Sequence, residues 1–334
     1  MVSRLPPRHS NAALRSAEQG ETWRTIIIAL VANLTIAAAK LIAGLLSGSP
    51  ALLAEAGHSL ADSLNEVFLG VSLLRGGMPA DLLHPLGHGR ERFLWAFMAA
   101  IASFLIGGCL SIGLAIWALL SGGSEEDVGF AWVVLAVALV ADGTSLVRSL
   151  RQARDEAHER GLSLPGYLLG SSDPALRAVV VEDCAGLIGV GLAATGLLLS
   201  QLLGTRTPDA LASLLIGVLL AVTAFGLARP VADLLVGRSL PADQLQQVHA
   251  ILASDPAIDE VLALQAVYTG PQEVIVAAKV HPAGGLSIDQ LTRAMDRLDG
   301  AIRSAVSEVA DVYLDVTSYR LDTLPVGPRP MDDR

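Results

Sequence analysis

Six apolar stretches of about twenty residues restrict what this chain can fold into. They cover residues 25–47, 51–75, 92–120, 128–149, 175–201 and 208–230. About 20 apolar residues are what an α-helix needs to cross the hydrocarbon core of a bilayer. Charged residues make up only 17% of the 334-residue chain, against roughly 25% in soluble globular proteins. The sequence therefore predicts a mainly α membrane protein with six transmembrane helices in residues 24–235.

The arginines between the spans predict the orientation of the chain. They occur before the first span and in the connections 75–92 and 148–177, whereas the opposite connections are SGSP, the acidic SGGSEED and a segment with one arginine. The positive-inside rule then places both termini in the cytoplasm. Residues 1–23 have no continuous apolar core and predict a short cytoplasmic tail rather than a signal peptide. We expect a multi-pass protein of a bacterial cytoplasmic membrane.

After the sixth span the composition changes to that of an ordinary soluble domain. An amphipathic helix, two alternating strands around the turn GPQ, a second amphipathic helix and a last strand follow one another in residues 236–321. The order αββαβ predicts a small cytoplasmic α+β domain of ferredoxin-like type. Residues 322–334 contain three prolines and are predicted to be disordered.

Ionisable residues inside the spans are few, and they indicate a metal site. In AEAGHSLADSLNE of the second span, His58 and Asp62 are four residues apart and project from one helix face. An imidazole and a carboxylate placed in this way suit Zn²⁺. Asp183 of the fifth span falls at a similar depth, near the membrane midplane. A purely structural His–Asp pair is the alternative, but carboxylates at matching depth favour ligands.

Two segments of the sequence resemble the cation diffusion facilitator family of divalent-metal transporters. They are HSLAD in the second span and the connection 80-ADLLHPLGHGRERF-93. The resemblance covers about residues 24–318, with the six-span order and the C-terminal domain. The fifth span, VVVEDCAGLIGV, is similar to that of the zinc-transporter-nine-like branch, which also reads Glu-Asp followed by Ala or Gly and Leu-Gly.

The resemblance implies a membrane site with two ligands from the second span and two from the fifth. His58 and Asp62 match the first pair. Aligning on the Gly189-Val190 dipeptide places Asp183 at the family's Asp position and Val179 at its His position, so one ligand is missing. The substitutes left open by the sequence are Glu182, which lies about 100° around the helix from Asp183 and can also carry a proton, Asp142 of the fourth span, and water. Cys184 is a weaker candidate.

The resemblance implies a second metal site in the connection between spans 2 and 3, where Asp81, His84 and His88 match the family's ligands. Its role, structural or functional, is left open. Some relatives bind zinc in the C-terminal domain as well. Here the matching positions hold Leu262, Lys279, Asp315 and Thr317. We therefore expect this domain to bind metal weakly or not at all and to form a homodimer through residues 236–321.

The function implied by the resemblance is export of Zn²⁺ from the cytosol in exchange for protons by alternating access. Zn²⁺ would be the transported and possibly a structural ion, with no prosthetic group. Efflux of Mn²⁺, Fe²⁺ or Co²⁺ is one alternative, and a non-transporting dimeric membrane scaffold or metal sensor is another. No nucleophile elbow, phosphate loop or HExxH occurs, so we expect no enzyme. The net charge of −10, without a basic patch, argues against nucleic acid as a partner.

Overall fold

The structure, a computed structural model, describes residues 12–121, 128–159, 163–170 and 174–318. The tail from residue 322 that was predicted to be disordered lies outside the described residues, as does the acidic connection at 122–127. The chain divides into two compact units. One contains the described residues of 12–74 and 94–231, and the other those of 75–93 and 232–318.

The first unit is helical and contains a helix for each of the six apolar stretches. A π-helical segment, Ser103–Cys109, joins the helical segments on either side of it into one continuous helix over Glu91–Ser121. The helices are α1 Ala12–Ser47, α2 Pro50–Gly76, α3 Glu91–Ala102, α4 Leu110–Ser121, α5 Gly129–Glu159, α6 Leu164–Gly170, α7 Pro174–Leu203 and α8 Thr207–Val236.

Five helices in the described part of the chain are long and apolar enough to cross a membrane. They are Ile26–Ser47, Glu91–Ser121, Gly129–His158, Val179–Leu203 and Thr207–Val236. The sixth expected span, α2, has a sufficient length of 27 residues, but its ionisable side chains make it too polar on average. Because α2 buries Glu55 and His58 within the helical unit, these groups do not have to face lipid.

Helix α5 continues to Glu159, ten residues past the predicted end of its span at 149. Ser149, Ala153 and Ala157 are buried at intervals of four residues, the spacing of one helix face. Ala153 and Ala157 pack against Tyr167 of α6, and the Tyr167 hydroxyl donates to a carboxylate oxygen of Glu156 at 2.6 Å. The connection predicted at 148–177 is therefore largely helical in its described part.

The turn between α1 and α2 is held by a carboxylate from α8. Asp209 is fully buried, and its Oδ2 accepts hydrogen bonds from Ser49 Oγ at 2.7 Å and from the backbone N–H of Ala51 at 3.1 Å. The Ser200 hydroxyl accepts from the backbone N–H of Asp209 at 3.0 Å. This carboxylate satisfies donors at the start of α2 that have no partner within that helix.

Replacing Asp209 with alanine leaves the Ser49 hydroxyl and the Ala51 N–H buried without an acceptor. We expect a loss of about 3 kcal/mol of stability, because hydrogen bonds to buried charged groups are costly to leave unmade. The measurement is thermal unfolding of the detergent-solubilised protein. Asp209→Asn retains an acceptor oxygen and should lose less. Equal melting temperatures for Asp209→Ala and the unmodified protein would contradict this assignment.

The second unit contains the predicted αββαβ order, which is confirmed. Its elements are α9 Ala242–Ser254, β1 Ile258–Gly270, β2 Glu273–Pro282, α10 Ile288–Ala305 and β3 Val309–Val316. The sheet order is β1-β2-β3, with β1 and β2 antiparallel and β2 and β3 parallel. Alternate residues of β2 are buried from Val274 to Val280, and they pack with Val248 of α9 and Leu298 of α10. Ser287 forms a capping box with Gln290 at the start of α10.

The connection between α2 and α3 belongs to this second unit and lies against its sheet. Gly89 approaches the end of β1 so closely that a Cβ there would lie 2.6 Å from the carbonyl oxygen of Thr269 and 3.0 Å from the Cα of Gly270. A side chain cannot fit at this point without displacing backbone. Gly89 therefore allows the connection that carries the predicted second metal site to pack on the C-terminal domain.

Candidate metal centres

Asp81, His84 and His88 converge because the connection folds back on the Asp81 side chain. The backbone N–H groups of Leu83 and His84 donate to Asp81 Oδ1 at 2.8 and 2.7 Å. The next turn is closed by the Gly87 N–H, which donates to the His84 carbonyl at 2.9 Å. Gly87 has a φ of +83°, a conformation that favours glycine.

The three side chains form a compact group with the donor atoms that zinc prefers. His84 Nδ1 lies 3.3 Å from Asp81 Oδ1, and His88 Nε2 lies 3.1 Å from Asp81 Oδ2. One potential ligand atom from each residue lies within 4.8 Å of the others, and within the described residues no other His, Cys, Asp or Glu side chains form such a group. Two imidazole nitrogens and a carboxylate oxygen suit a tetrahedral Zn²⁺ site with one further ligand.

Glu91 adds an orienting contact that the sequence analysis missed. Its Oε1 lies 3.0 Å from His88 Nδ1, on the side of the ring opposite Asp81. A carboxylate on the second nitrogen of a metal-binding histidine fixes the ring orientation and increases the basicity of the ligand. The spacing from His88 to Glu91, three residues at the start of α3, was the available signal in the sequence.

The charges of this group are coupled. The N–H of His84, together with the side chain of His88, lowers the pKa of Asp81 to about 2, so this carboxylate is ionised near neutral pH. The carboxylates of Glu91 and Asp81 raise the pKa of His88 above its ordinary value. Protonated His88 cannot bind a metal, so metal binding to the protonated form releases a proton.

Zinc binding at this group is expected to weaken as the pH falls, with a midpoint above that of an ordinary histidine, because the pKa of His88 is raised and its protonated form cannot bind zinc. The measurement is competition with a zinc chelator at several pH values. Glu91→Gln removes the contact that contributes most to the raised pKa of His88, so the midpoint should move to lower pH. An unchanged midpoint in this variant would refute the role of Glu91.

In the helical unit, the predicted pair on α2 is present. His58 Nδ1 lies 3.6 Å from Asp62 Oδ1, one helical turn away. His58 is 7% exposed, and a third of the Asp62 side chain is accessible. The imidazole is thus held inside the unit while the carboxylate can be reached from outside it.

The two adjacent acids of α7 point to different neighbours. Glu182 Oε2 accepts a hydrogen bond from Asn65 Nδ2 of α2 at 3.2 Å, and Glu182 also interacts electrostatically with Asp62. Asp183 Oδ1 instead accepts from Ser145 Oγ of α5 at 2.9 Å. The structure therefore places Glu182, one of the substitutes left open for the missing ligand, next to α2. Within the described residues, neither of these acids nor Asp142 of α5 forms a compact ligand group with the pair on α2.

Asp142 of α5 lies near His58, where α7 has no side chain. A Cβ on Gly186 would lie 3.0 Å from His58 Nε2 and 4.0 Å from Asp142 Oδ2. Asp142 also interacts electrostatically with His58. Val179, at the position where the family has a histidine, is 45% exposed. Of the substitutes considered for the missing ligand, Asp142 and Glu182 thus lie close to the α2 pair.

A buried ion pair adjoins Asp142. Lys40 of α1 and Glu55 of α2 are both fully buried, with Lys40 Nζ 2.9 Å from Glu55 Oε2 and 3.6 Å from Asp142 Oδ2. The sequence analysis did not assign these two residues to the site. The available signal was a lysine inside an apolar span, since such a charge requires a partner.

In the C-terminal domain, two of the positions where some relatives bind zinc form an ion pair. Lys279 Nζ lies 3.3 Å from Asp315 Oδ2 across the parallel pairing of β2 and β3. Leu262 is buried. An ammonium group and an apolar side chain supply no zinc ligand at their positions. Weak or absent metal binding by this domain stays a prediction.

One protein family and several known proteins are similar to this chain. The family described as cation efflux transmembrane domain matches residues 26–236. The mitochondrial proton-coupled zinc antiporter SLC30A9 of Xenopus laevis is 32% identical over 257 residues, covering 77% of this chain and 46% of the relative. Metal tolerance protein C4 of Arabidopsis thaliana is 26% identical, covering 83% of this chain and 61% of the relative.

A shorter relative covers most of both sequences. The manganese efflux system protein MneP of Bacillus subtilis (strain 168) is 24% identical over 298 residues, which are 89% of this chain and 96% of the relative. The chain spans about half the length of the SLC30A9 proteins that it matches. The region matched by the family begins in α1, at residue 26, and ends with α8, at residue 236.

Proposed function

Because the chain belongs to the cation efflux family, we propose that it carries Zn²⁺ out of the cytosol in exchange for protons, by alternating access to a site in its helical unit. The observation that carries the proposal is the His58–Asp62 pair on α2, with a buried imidazole and an accessible carboxylate. Ionisable groups inside a membrane protein are costly and are retained mainly where they bind substrates or relay protons.

We propose that His58 and Asp62 bind the metal together with Asp142 and one acid of α7. The proximity of Asp142 to His58 at Gly186 supports its assignment. For the acid of α7, the contact of Glu182 with α2 supports one choice, and the family register supports Asp183. The variants Glu182→Gln and Asp183→Asn distinguish the two choices. Replacing the metal ligand should reduce zinc flux at every pH, whereas replacing a proton carrier should alter chiefly the pH dependence of the flux.

The proposed coupling follows from the protonation that metal binding requires. A bound metal needs neutral His58 and ionised carboxylates, so binding displaces protons. Histidine titrates close to neutral pH and can therefore carry a coupled proton. When the site faces an acidic exterior, protonation weakens binding and the metal leaves. The relatives named as proton-coupled zinc antiporters support an exchange of zinc for protons.

Zinc is proposed as the substrate because the site contains an imidazole, whereas a site made of carboxylates alone suits manganese better. With one nitrogen and several oxygen ligands, Mn²⁺, Fe²⁺ and Co²⁺ are the competing substrates, and a relative named for manganese efflux supports testing them. The experiment is flux into proteoliposomes with an imposed pH gradient for each metal. Zinc flux that collapses with the gradient is expected; flux of manganese but not zinc would overturn the assignment.

A metal sensor that does not transport is the second candidate. It is favoured by the compact Asp81, His84 and His88 group, which lies outside the helical unit and packs with the C-terminal domain. A sensor would release protons on adding metal but would give no flux across the membrane. Metal-dependent proton release in detergent, measured beside the proteoliposome assay, separates the two candidates.

The orientation and the assembly are also proposals. We propose that both termini face the cytoplasm and that the protein forms a homodimer through residues 236–321 in a bacterial cytoplasmic membrane. The arginine distribution supports the orientation, although the SLC30A9 relatives are named as mitochondrial. The orientation is tested in a variant that lacks Cys109 and Cys184. A single cysteine replaces His249, which is exposed, and is labelled from one side of sealed vesicles.

A further inference from the structure

We propose that Lys40 is a positioning residue for transport: its ammonium group competes with the metal for the carboxylate of Asp142 and thereby keeps metal binding weak enough for release. This inference rests on the proposed function and adds a residue of α1 to a site otherwise formed by α2, α5 and α7. The family match covers Lys40, but the contacts that carry the inference are those of this structure.

The Lys40–Glu55 pair forms the fixed part of this arrangement. Both side chains are fully buried, and the Nζ of Lys40 lies 2.9 Å from Glu55 Oε2. A buried charge is tolerated only with a close partner, since removal from water costs several kcal/mol per ion. The backbone of α7 closes the other side, because a Cβ on Gly189 would overlap the second oxygen of Glu55. Glu55 therefore has little room to move away from Lys40.

The contact between Lys40 and Asp142 is the exchangeable part. Lys40 Nζ lies 3.6 Å from Asp142 Oδ2, longer than its distance to Glu55, and 23% of the Asp142 side chain is accessible. At this distance the attraction is chiefly electrostatic rather than a short hydrogen bond. Asp142 can thus leave Lys40 without leaving that ammonium unpaired, because Glu55 remains in contact.

Asp142 is within reach of the metal site as well. Its carboxylate interacts electrostatically with both Lys40 and His58, and it shares with His58 Nε2 the space in front of Gly186. A metal bound by His58 would attract the carboxylate that Lys40 holds. Because Asp62 also interacts electrostatically with Lys40, the ammonium opposes binding of a second cation at both acids. Lys40 thereby sets an upper limit on metal affinity.

The test is the metal affinity and turnover of Lys40→Met. Without the ammonium, Asp142 is free to bind metal and the site carries one more negative charge, so zinc affinity should rise about tenfold or more. Release then becomes slow, and turnover in proteoliposomes should fall. Lys40→Arg keeps the charge and should stay near the unmodified protein in affinity. Zinc binding is measured by chelator competition in detergent, with zinc alone as the probe.

Two further variants keep the test decisive. Lys40→Met/Glu55→Gln removes both members of the buried pair, so no unpaired charge remains to impair folding, and it should bind zinc more tightly too. In an Asp142→Asn background, Lys40→Met should give a much smaller gain. A merely structural lysine predicts weaker or unchanged binding in every variant, and that result would overturn the inference. If the unmodified protein shows no flux, the proposed function fails instead.

Discussion

Substituting His58 with alanine should reduce zinc flux in proteoliposomes by about a hundredfold or more, and Asp62→Ala should do the same. Even loss of a group that only supports a metal ligand costs roughly 10–100-fold in affinity or activity, so loss of a ligand should cost at least as much. The two side chains lie one turn apart on α2, 3.6 Å from each other. No neighbouring imidazole is available on α7, where the corresponding position is Val179.

The matched control for this experiment is His249→Ala. His249 lies on α9 of the C-terminal domain and is exposed, so its removal takes away an imidazole without touching the helical unit. His84→Ala provides a second comparison, because it removes one ligand of the compact group in the connection. If zinc flux were retained in His58→Ala but lost in His84→Ala, the residues required for transport would lie outside the helical unit. That result would contradict the transport site proposed on α2.

The architecture could be predicted from sequence because it depends on local periodicity and length. Each apolar stretch became a helix, and the alternating patterns of the C-terminal domain became β1, β2 and β3. Helix α5 exceeded its predicted span because a helix does not end where hydropathy falls. Its buried alanines, Ala153 and Ala157, extend one face beyond the apolar segment. The polarity of α2 could be seen in the sequence, but not that Glu55 would be fully buried.

The candidate sites were predictable to different degrees. Asp81, His84 and His88 lie within eight consecutive residues, so only the local backbone conformation of this connection has to bring their side chains together. The proposed membrane site needs side chains from α2, α5 and α7, and the rotation of each helix depends on packing by residues far away in sequence. An alignment could place Asp183 at a family position, but it could not determine that Glu182 would contact Asn65. Lys40 was missed for the same reason.

A face of α7 that carries two glycines packs against both the buried ion pair and the proposed metal site. Gly186 makes room for His58 and Asp142, and Gly189 makes room for Glu55. The two glycines are three residues apart and lie on the same side of the helix. The polar groups of α2 can be buried in the unit because α7 presents backbone, not side chains, at these two levels. This close packing ties the position of α7 to the charges of the site.

Gly189→Ala should therefore be among the most damaging single-methyl changes in the helical unit. Its Cβ would overlap a carboxylate oxygen of Glu55, which is fully buried and cannot leave Lys40 without exposing an unpaired charge. Disrupting a buried ion pair costs about 3–5 kcal/mol, so we expect a large fall in the melting temperature in detergent and near-complete loss of zinc flux.

Gly191→Ala is the matched control, because a Cβ at Gly191 would meet nothing within 4 Å. It adds the same methyl group to the same helix two residues away and should be neutral or slightly stabilising, since alanine favours helix over glycine by roughly 1 kcal/mol. Gly186→Ala is intermediate, with His58 Nε2 at 3.0 Å, and should reduce flux more than stability. If Gly189→Ala behaved like Gly191→Ala, α7 could not be packed on Glu55 as the structure has it, and the arrangement of Lys40, Glu55 and Asp142 would have to be abandoned.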